Sequence, residues 1–312
     1  KDDVILNYLD DDGTKVEPIY YIPIIPMILV NGTKGIGTGF STDIPCYNPK
    51  DIIRYIKCKV KDNEYEEEPF TPYYKDFKGT IEQIETNKYI SKGKYHVKNK
   101  KIIIDELPIG MWNEEYIIHL DKCLNDKLRD YKDQSTDKDI YFELSLNEEM
   151  TNDEFDKYFK LTTNISTSNM NLFDNEEKLK HYNNVIEICN DFIEVRLKYY
   201  ETRRCYYIKI LKQEMNILKN KYNYIDELLN DTLDLRKKSS NEINDILNDK
   251  HYDKVNDNYN YLIKMSMDSV CQENIDSLKS QLETKEKEFN FMNETTNVNM
   301  WLSELEELEK SL

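Results

Sequence analysis

Glycine and proline stop one third of the way along this chain. All eight prolines lie at or before Pro108 and all eight glycines at or before Gly110, leaving 202 residues with neither. Both residues punctuate turns, and both weaken helix interiors. So long a stretch without them, rich in Leu, Lys, Glu, Asn and Asp, predicts long helices. The turns must then be concentrated in the first third. At about 150 residues per domain, 312 residues have room for two.

Composition narrows the class. Charged residues make up 33% of the chain and aromatics 12%. The first value is high for one compact globule, and the second is too high for a disordered chain. No run of about 18 uncharged apolar residues exists, so no membrane helix is expected. The chain opens Lys1-Asp2-Asp3, with neither Met nor an apolar signal core, and reads as a piece of a longer protein. Six cysteines are scattered without a CxxC pair, and four histidines are equally dispersed. No zinc site is expected, and a reducing compartment fits.

Net charge is −17, which argues against a protein that simply coats nucleic acid, but local patches decide binding. Between Pro72 and Ile102 stand eight lysines (75, 78, 88, 92, 94, 98, 100 and 101) against Asp76, Glu82 and Glu85, a local balance of +5. This window is either a basic binding surface or a solvated hairpin.

In the first third, Tyr20 to Val30 is apolar but interrupted by Pro23 and Pro26. That excludes a central strand and suggests an extended buried segment entering a loop, Asn31 to Gly39. Asn48-Pro49 opens a helix running to about Lys59. Gly79 to Ile84, Tyr89 to Ile90, Lys94 to Val97 and Lys101 to Ile104 read as strands of one antiparallel sheet, with Ser91-Lys92-Gly93-Lys94 as a hairpin turn. A helix over Glu114 to Leu128 and an alternating strand over Ile140 to Leu146 follow. From Asn175 the period becomes helical. Leu179, Tyr182, Ile186, Cys189 and Ile193 step by 3 and 4, as do Ile208, Leu211, Met215, Leu218, Tyr222, Ile225 and Leu229. This is an a/d seam with a phase shift. A second helical stretch runs from Gln272 to Leu312. The pattern fits an antiparallel coiled-coil arm with a small tip, or an ordinary helical bundle.

Four of the eight glycines fall between residues 32 and 39. The stretch lacks both the P-loop GK[S/T] and the GxGxxG spacing, so nucleotide binding is weakly supported. Ile36, between Gly35 and Gly37, either wedges between base pairs of a duplex or packs inward. Asp10-Asp11-Asp12 and Glu66-Glu67-Glu68 read as solvated acidic runs. No nucleophile–base–acid constellation appears, so no catalytic residue and no metal ligand is assigned in this chain.

The run Val16-Glu17-Pro18-Ile19-Tyr20-Tyr21-Ile22-Pro23-Ile24-Ile25-Pro26-Met27-Ile28-Leu29-Val30-Asn31-Gly32-Thr33-Lys34-Gly35-Ile36-Gly37-Thr38-Gly39 resembles the signature of eukaryotic-type (or large-DNA-virus) DNA topoisomerase II. Further blocks resemble that family in order: Tyr74 to Glu82, Asp105 to Pro108, Lys157 to Thr163, Met170 to Asp174, Arg196 to Tyr200, and Tyr259 to Leu262. Two departures stand out. Phe40 replaces a tryptophan, and Met265-Ser266-Met267 lacks the family's proline.

The resemblance implies an α+β fold: a turn-rich tower domain with an antiparallel sheet, then a long antiparallel coiled-coil arm with a small all-α dimerisation tip. Residues 1–17 would end the preceding winged-helix region, 18–171 would be the tower, and 172–312 the arm, with its C-gate tip at about 222–269. The implied role is the C-terminal part of the breakage–reunion core of an ATP-dependent type II topoisomerase, a DNA isomerase. The family's catalytic tyrosine, ATPase and magnesium-binding domain correspond to positions before Lys1. No cofactor is therefore expected on this chain, while the parent would use ATP and Mg2+. Ile36 matches the isoleucine that intercalates and bends the DNA to be cut. Asn31, Lys34, Gly35, Gly37 and Thr38 would contact DNA, as would Lys157, Lys160, Thr162, Thr163 and Asn164. Tyr259, Tyr261, Leu262 and Met265 would belong to the dimer gate. Partners would be double-stranded DNA and a second copy of the chain, with no membrane. The place would be the nucleus, or a viral replication site or virion. The alternative is a non-catalytic coiled-coil dimerisation or chromosome-scaffold module.

Overall fold

Pro23 and Pro26 deny two backbone donors to the apolar run that holds them. In the computed structural model, which describes residues 1–61, 70–98, 101–266 and 270–312, the run does not stay extended as expected. Pro26, at φ −67° and ψ 96°, is the N-cap of a five-residue helix, α1 (Met27–Asn31). Leu29 on that helix is buried, and its carbonyl accepts from the Tyr47 amide at 2.7 Å.

The remaining elements, in chain order, begin with two hairpins. These are β1 (Tyr8–Asp11) with β2 (Thr14–Pro18), before α1, and β3 (Thr33–Gly37) with β4 (Phe40–Ile44), after it. Next come α2 (Pro49–Val60), β5 (Thr80–Glu85), β6 (Lys88–Lys92), β7 (Lys94–Lys98), β8 (Lys101–Glu106), α3 (Asn113–Cys123), β9 (Leu128–Asp133) and β10 (Phe142–Leu146). They are followed by α4 (Asn152–Tyr158), β11 (Thr162–Ser166), β12 (Met170–Phe173) and β13 (Leu179–Tyr182). The helical remainder is α5 (Val185–Leu229), α6 (Ser240–Asp249), α7 (Asn260–Ile263), α8 (Gln272–Glu294) and α9 (Asn297–Ser311).

Three expectations are corrected. The strands around Gly93 do not form one sheet. β5, β6 and β11 make a three-stranded sheet in the order β11-β6-β5, and β7 and β8 join β10 and β9 in the order β7-β8-β10-β9. Ser91 to Lys94 is therefore not a hairpin turn but the point where the chain passes from one sheet to the other. The Gly93 amide donates to Leu161 O at 2.9 Å, and a Cβ there would lie 2.5 Å from Glu106 O. Only glycine fits so close an approach. Second, the helical period does not begin at Asn175. Leu179 to Tyr182 is a strand paired with β12, and the helix starts at Val185. Third, the helix expected to reach Leu128 ends at Cys123, and Leu128 opens β9.

The chain divides into two compact units. One holds Lys1–Ile22 and Arg196–Glu304, and the other holds Pro23–Val195 and Leu305–Leu312. The second has a core of Ile104, Leu107, Tyr116, Leu120, Leu128, Phe142, Leu144, Phe155, Phe159 and Leu161, which lies between α3, α4 and the four-stranded sheet. In the first unit, α5 and α8 run antiparallel. Arg204 reaches Asn293 O at 3.3 Å, Glu214 meets Lys285 at 3.0 Å, and Ile225 packs with Ile275 and Leu278. As one number rises the other falls, which gives the two-helix seam its direction.

Candidate nucleic-acid interface

The glycine-rich stretch folds as the β3–β4 hairpin, in which Ile36 faces Ser41 and Gly37 faces Phe40. Its amides are spent on a strand ladder, and it leads into β4 rather than a helix, so it offers no phosphate cradle of the P-loop kind. With glycine on either side, Ile36 has no flanking side chain to shelter it, and it is 93% exposed. Inward packing is thereby excluded.

A two-stranded hairpin alone is marginal in water, and this one is braced. The Asp43 amide donates to Asn169 O at 2.8 Å. The Asn169 amide group donates to Ser41 Oγ at 2.9 Å, and that of Asn171 to Ser41 O at 2.8 Å. Phe40 meets Phe173 of β12 edge-on, with ring centroids 5.7 Å apart. Gly37 makes room for this arrangement, because a Cβ there would sit 2.8 Å from the Phe40 ring. Asn169, Asn171 and Phe173 lie within or beside the Met170–Asp174 block, yet their bracing role had no periodic signal to reveal it.

Gly35, Ile36, Gly37 and Thr38 therefore lie toward the turn of this braced hairpin, with Lys34 nearer its base and Asn31 just before it. Asn31 closes α1, and its carbonyl accepts from the Cys46 thiol at 3.1 Å. Lys34 pairs with Asp43 across the ladder at 3.1 Å. Both side chains are well exposed, so a phosphate can displace the carboxylate at little cost.

The second group follows α4. This short helix is held by a capping box, in which Thr151 and Glu154 satisfy each other's backbone donors. Lys157 stands in its last turn, and Lys160 just beyond it adopts φ 51°. Thr162, Thr163 and Asn164 lie on β11 opposite Lys92, Ser91 and Ile90. The Thr163 hydroxyl donates to Ile109 O at 2.7 Å, whereas Asn164 is exposed. A short connection leads from the end of β11 to Met170 and β12, the strand that braces the Ile36 hairpin. The two groups are thus mechanically linked.

Tyr259, Tyr261, Leu262 and Met265 form a separate group in the other unit. Tyr259 and Leu262 are buried in a core with Tyr224, Ile225, Leu247, Ile275 and Leu278, and Met265 packs against it. The Tyr261 hydroxyl donates to Asp253 O at 2.7 Å and accepts from Asn220 at 3.0 Å. Here they join the described ends of α5 and α8 and the segment between them into one core.

The basic window is less basic in space than in sequence. Lys78 pairs with Asp139, Lys88 with Glu85, Lys92 with Glu82 and Lys101 with Glu143. Asp139 and Glu143 come from outside the window, which is why counting residues missed them. Lys100, Glu66, Glu67, Glu68 and Met267 lie outside the described residues.

No group of three or more His, Cys, Asp or Glu that could hold a metal occurs among the described residues. In the acidic run, Asp10 Oδ1 already accepts from the Gly13 amide at 2.8 Å.

The family of DNA gyrase/topoisomerase IV A-subunits matches residues 1–306. DNA topoisomerase 2 of Plasmodium falciparum (isolate K1 / Thailand) is 35% identical over 354 residues, covering 100% of this chain and 25% of its own length. DNA topoisomerase 2 of Arabidopsis thaliana is 33% identical over 362 residues, covering 100% of this chain and 24% of its own. Among solved structures, the Plasmodium falciparum topoisomerase II DNA-binding, cleavage and re-ligation domain superposes with a TM-score of 0.86 at 36% identity. It covers 99% of this chain and 46% of its own. The chain spans about a quarter of the length of these curated relatives.

Proposed function

The chain belongs to the family of DNA gyrase/topoisomerase IV A-subunits, and from that premise we propose that it serves as the DNA-bending and dimer-gate part of a type II topoisomerase breakage–reunion core. The parent would use ATP and Mg2+, held elsewhere than on the residues described here. Residues 18–171 would act as the tower and 172–312 as the arm and gate. The substrate would be double-stranded DNA, in the nucleus or, for a virus-encoded enzyme, at the viral replication site or in the virion.

One observation carries the reading: an isoleucine 93% exposed at the end of a hairpin that is braced by β12. Inserting it between base pairs costs about a few kcal/mol of stacking. Burying the side chain returns roughly 1.5–3 kcal/mol. The wedge alone therefore does not clearly close the balance, and contacts to phosphate must supply the rest. Lys34 beside the wedge, Lys157 in the last turn of α4, and Lys160 and Asn164 after it would make them. Thr162 and Thr163, on β11, add hydroxyls to that strand. A two-fold dimer through the α6–α7 region is the symmetry such an assembly takes. Tyr259, Tyr261, Leu262 and Met265 would shape the gate from within, leaving Ile263, 38% exposed, to face a partner.

The test uses the full-length protein and a duplex labelled at both ends. Ile36→Ala should abolish most of the energy-transfer change that reports bending and reduce cleavage strongly. It should weaken binding by less than about tenfold, the equivalent of 1.4 kcal/mol. Equal bending by variant and wild type would overturn the wedge.

A further inference from the structure

A cluster of lysines without carboxylate partners among the described residues lies where residue counting sees acid. Residues 121–160 contain seven cations against twelve anions, a net of −5. Folding nevertheless gathers four lysines around the junction of α3 and α4. Lys122 stands in the last turn of α3, one turn after His119, whose Nε2 lies 2.9 Å from Tyr158 O on α4. Lys127 Nζ sits over the Tyr158 ring, 5.2 Å from its centroid. Lys157 and Lys160 flank Tyr158 in the chain. Burial pushes the His119 pKa down, and the positive fields of Lys160 and Lys122 push it the same way, which agrees with their convergence. None of the four lysines takes part in an ion pair among the described residues.

The nearby acids keep their charge, and Lys127, after the Thr151 hydrogen bonds, helps to hold the Glu154 carboxyl below its usual range, but none of them forms an ion pair with these lysines. Asp126 accepts from the Tyr158 hydroxyl at 2.6 Å, Asp121 from the Tyr131 hydroxyl at 2.6 Å, and Glu154 closes the capping box. Asp153 and Asp156 contribute to the field that, after the Glu82 hydrogen bond, raises the Lys92 pKa on the neighbouring strand. The contrast with Lys78, Lys88, Lys92 and Lys101, each already held by a carboxylate, is direct.

We propose that Lys122 and Lys127 complete, with Lys157 and Lys160, a phosphate-binding shelf for the backbone of duplex DNA running away from the Ile36 wedge. The ligand is the phosphodiester chain, with no base readout. The proposal rests on the DNA-bending reading above. Each lysine that neutralises a phosphate contributes about 0.9 to the slope of log affinity against log salt.

In the full-length protein, Lys122→Gln combined with Lys127→Gln should lower that slope by about 2 and the low-salt affinity on the order of tenfold. The doubly labelled duplex should still bend once bound. Arginine at both positions should keep the slope near wild type, which separates charge from folding. Lys78→Gln with Lys101→Gln should change the slope far less. An unchanged slope in the Lys122/Lys127 glutamine variant, with wild type binding and bending normally, overturns the shelf and leaves the wedge standing. A wild type with no salt-dependent duplex binding overturns both.

Discussion

Gly37 and Lys160 show how much rests on single backbone positions. At Gly37 the missing methyl lets Phe40 lie against the strand and meet Phe173, so the base of the Ile36 hairpin is packed. At Lys160 the chain turns left-handed after α4, at φ 51°, where glycine is the usual choice. A residue with a Cβ costs roughly 1 kcal/mol there, and the structure keeps a lysine. Lys160→Gly should therefore stabilise the protein by about 0.5–1 kcal/mol in denaturant titration while lowering the salt slope of duplex binding by about 0.9. A variant that is more stable and binds with an unchanged slope would remove Lys160 from the interface. Ile36 was visible in the sequence as an apolar residue between glycines. Its exposure was not, because outward and inward packing share the same local pattern.

Among the elements, those whose period matched their surroundings were legible. The run from Ile208 to Leu229 lies on α5, and the expected helix at Pro49 is α2, capped by Asn48. Where two patterns compete, pairing partners decide. Leu179 and Tyr182 fit a helical step, yet β12 offers them a ladder, with Met170 opposite Tyr182 and Phe173 opposite Leu179. Gly93 looked like a turn because glycine marks turns, but what required it is the Glu106 carbonyl on β8, distant in sequence. Gly93→Ala should cost on the order of 1–3 kcal/mol, with hydrogen exchange accelerating on β6 and β8 alike. Exchange confined to one of those strands would mean that the glycine does not tie the two sheets at that point.

At the scale of the whole molecule, the unit holding most of α5 buries a charge network that no window of sequence could show. Arg196 and Arg203 are almost fully buried and both grip Asp2; Arg203 also pairs with Glu304 at 2.8 Å. Tyr200 lies under both guanidinium groups, 4.2 and 4.6 Å from its ring centre, and stacks on Trp301. Burial pushes the two carboxyls up. For Asp2 the arginines outweigh burial, and for Glu304 the Tyr200 hydroxyl, Lys1 and Arg203 do. Both carboxyls therefore sit below their ordinary range. A carboxyl held lower in the folded state stabilises fully above its unfolded pKa, and that stability is lost as pH falls through the folded value. Stability should thus be flat above pH about 5 and fall below about 4, the ordinary carboxyl range. Glu304→Leu should cost about 3–5 kcal/mol near neutral pH, since it leaves a buried guanidinium short of a partner. It should also flatten the acid limb of the curve. An acid limb as steep as wild type would show that other groups drive the acid unfolding.

The 202 residues without glycine or proline foretold the long helices from Val185 onward, but not the five strands β9 to β13 that lie within the same stretch. Sequence alone also placed an isoleucine between two glycines and, through the ordered resemblance blocks, showed which family to expect. These properties are carried by neighbours in the chain, whose spacing is covalent. Tertiary structure decided which strands share a sheet, which lysines stay unpaired, and which gate candidates are buried. Those depend on groups brought together from distant positions: Asp139 beside Lys78, Glu106 beside Gly93, Lys127 over Tyr158, and Ile275 against Ile225. A charge or a close approach acts through space, and only the folded chain sets that distance.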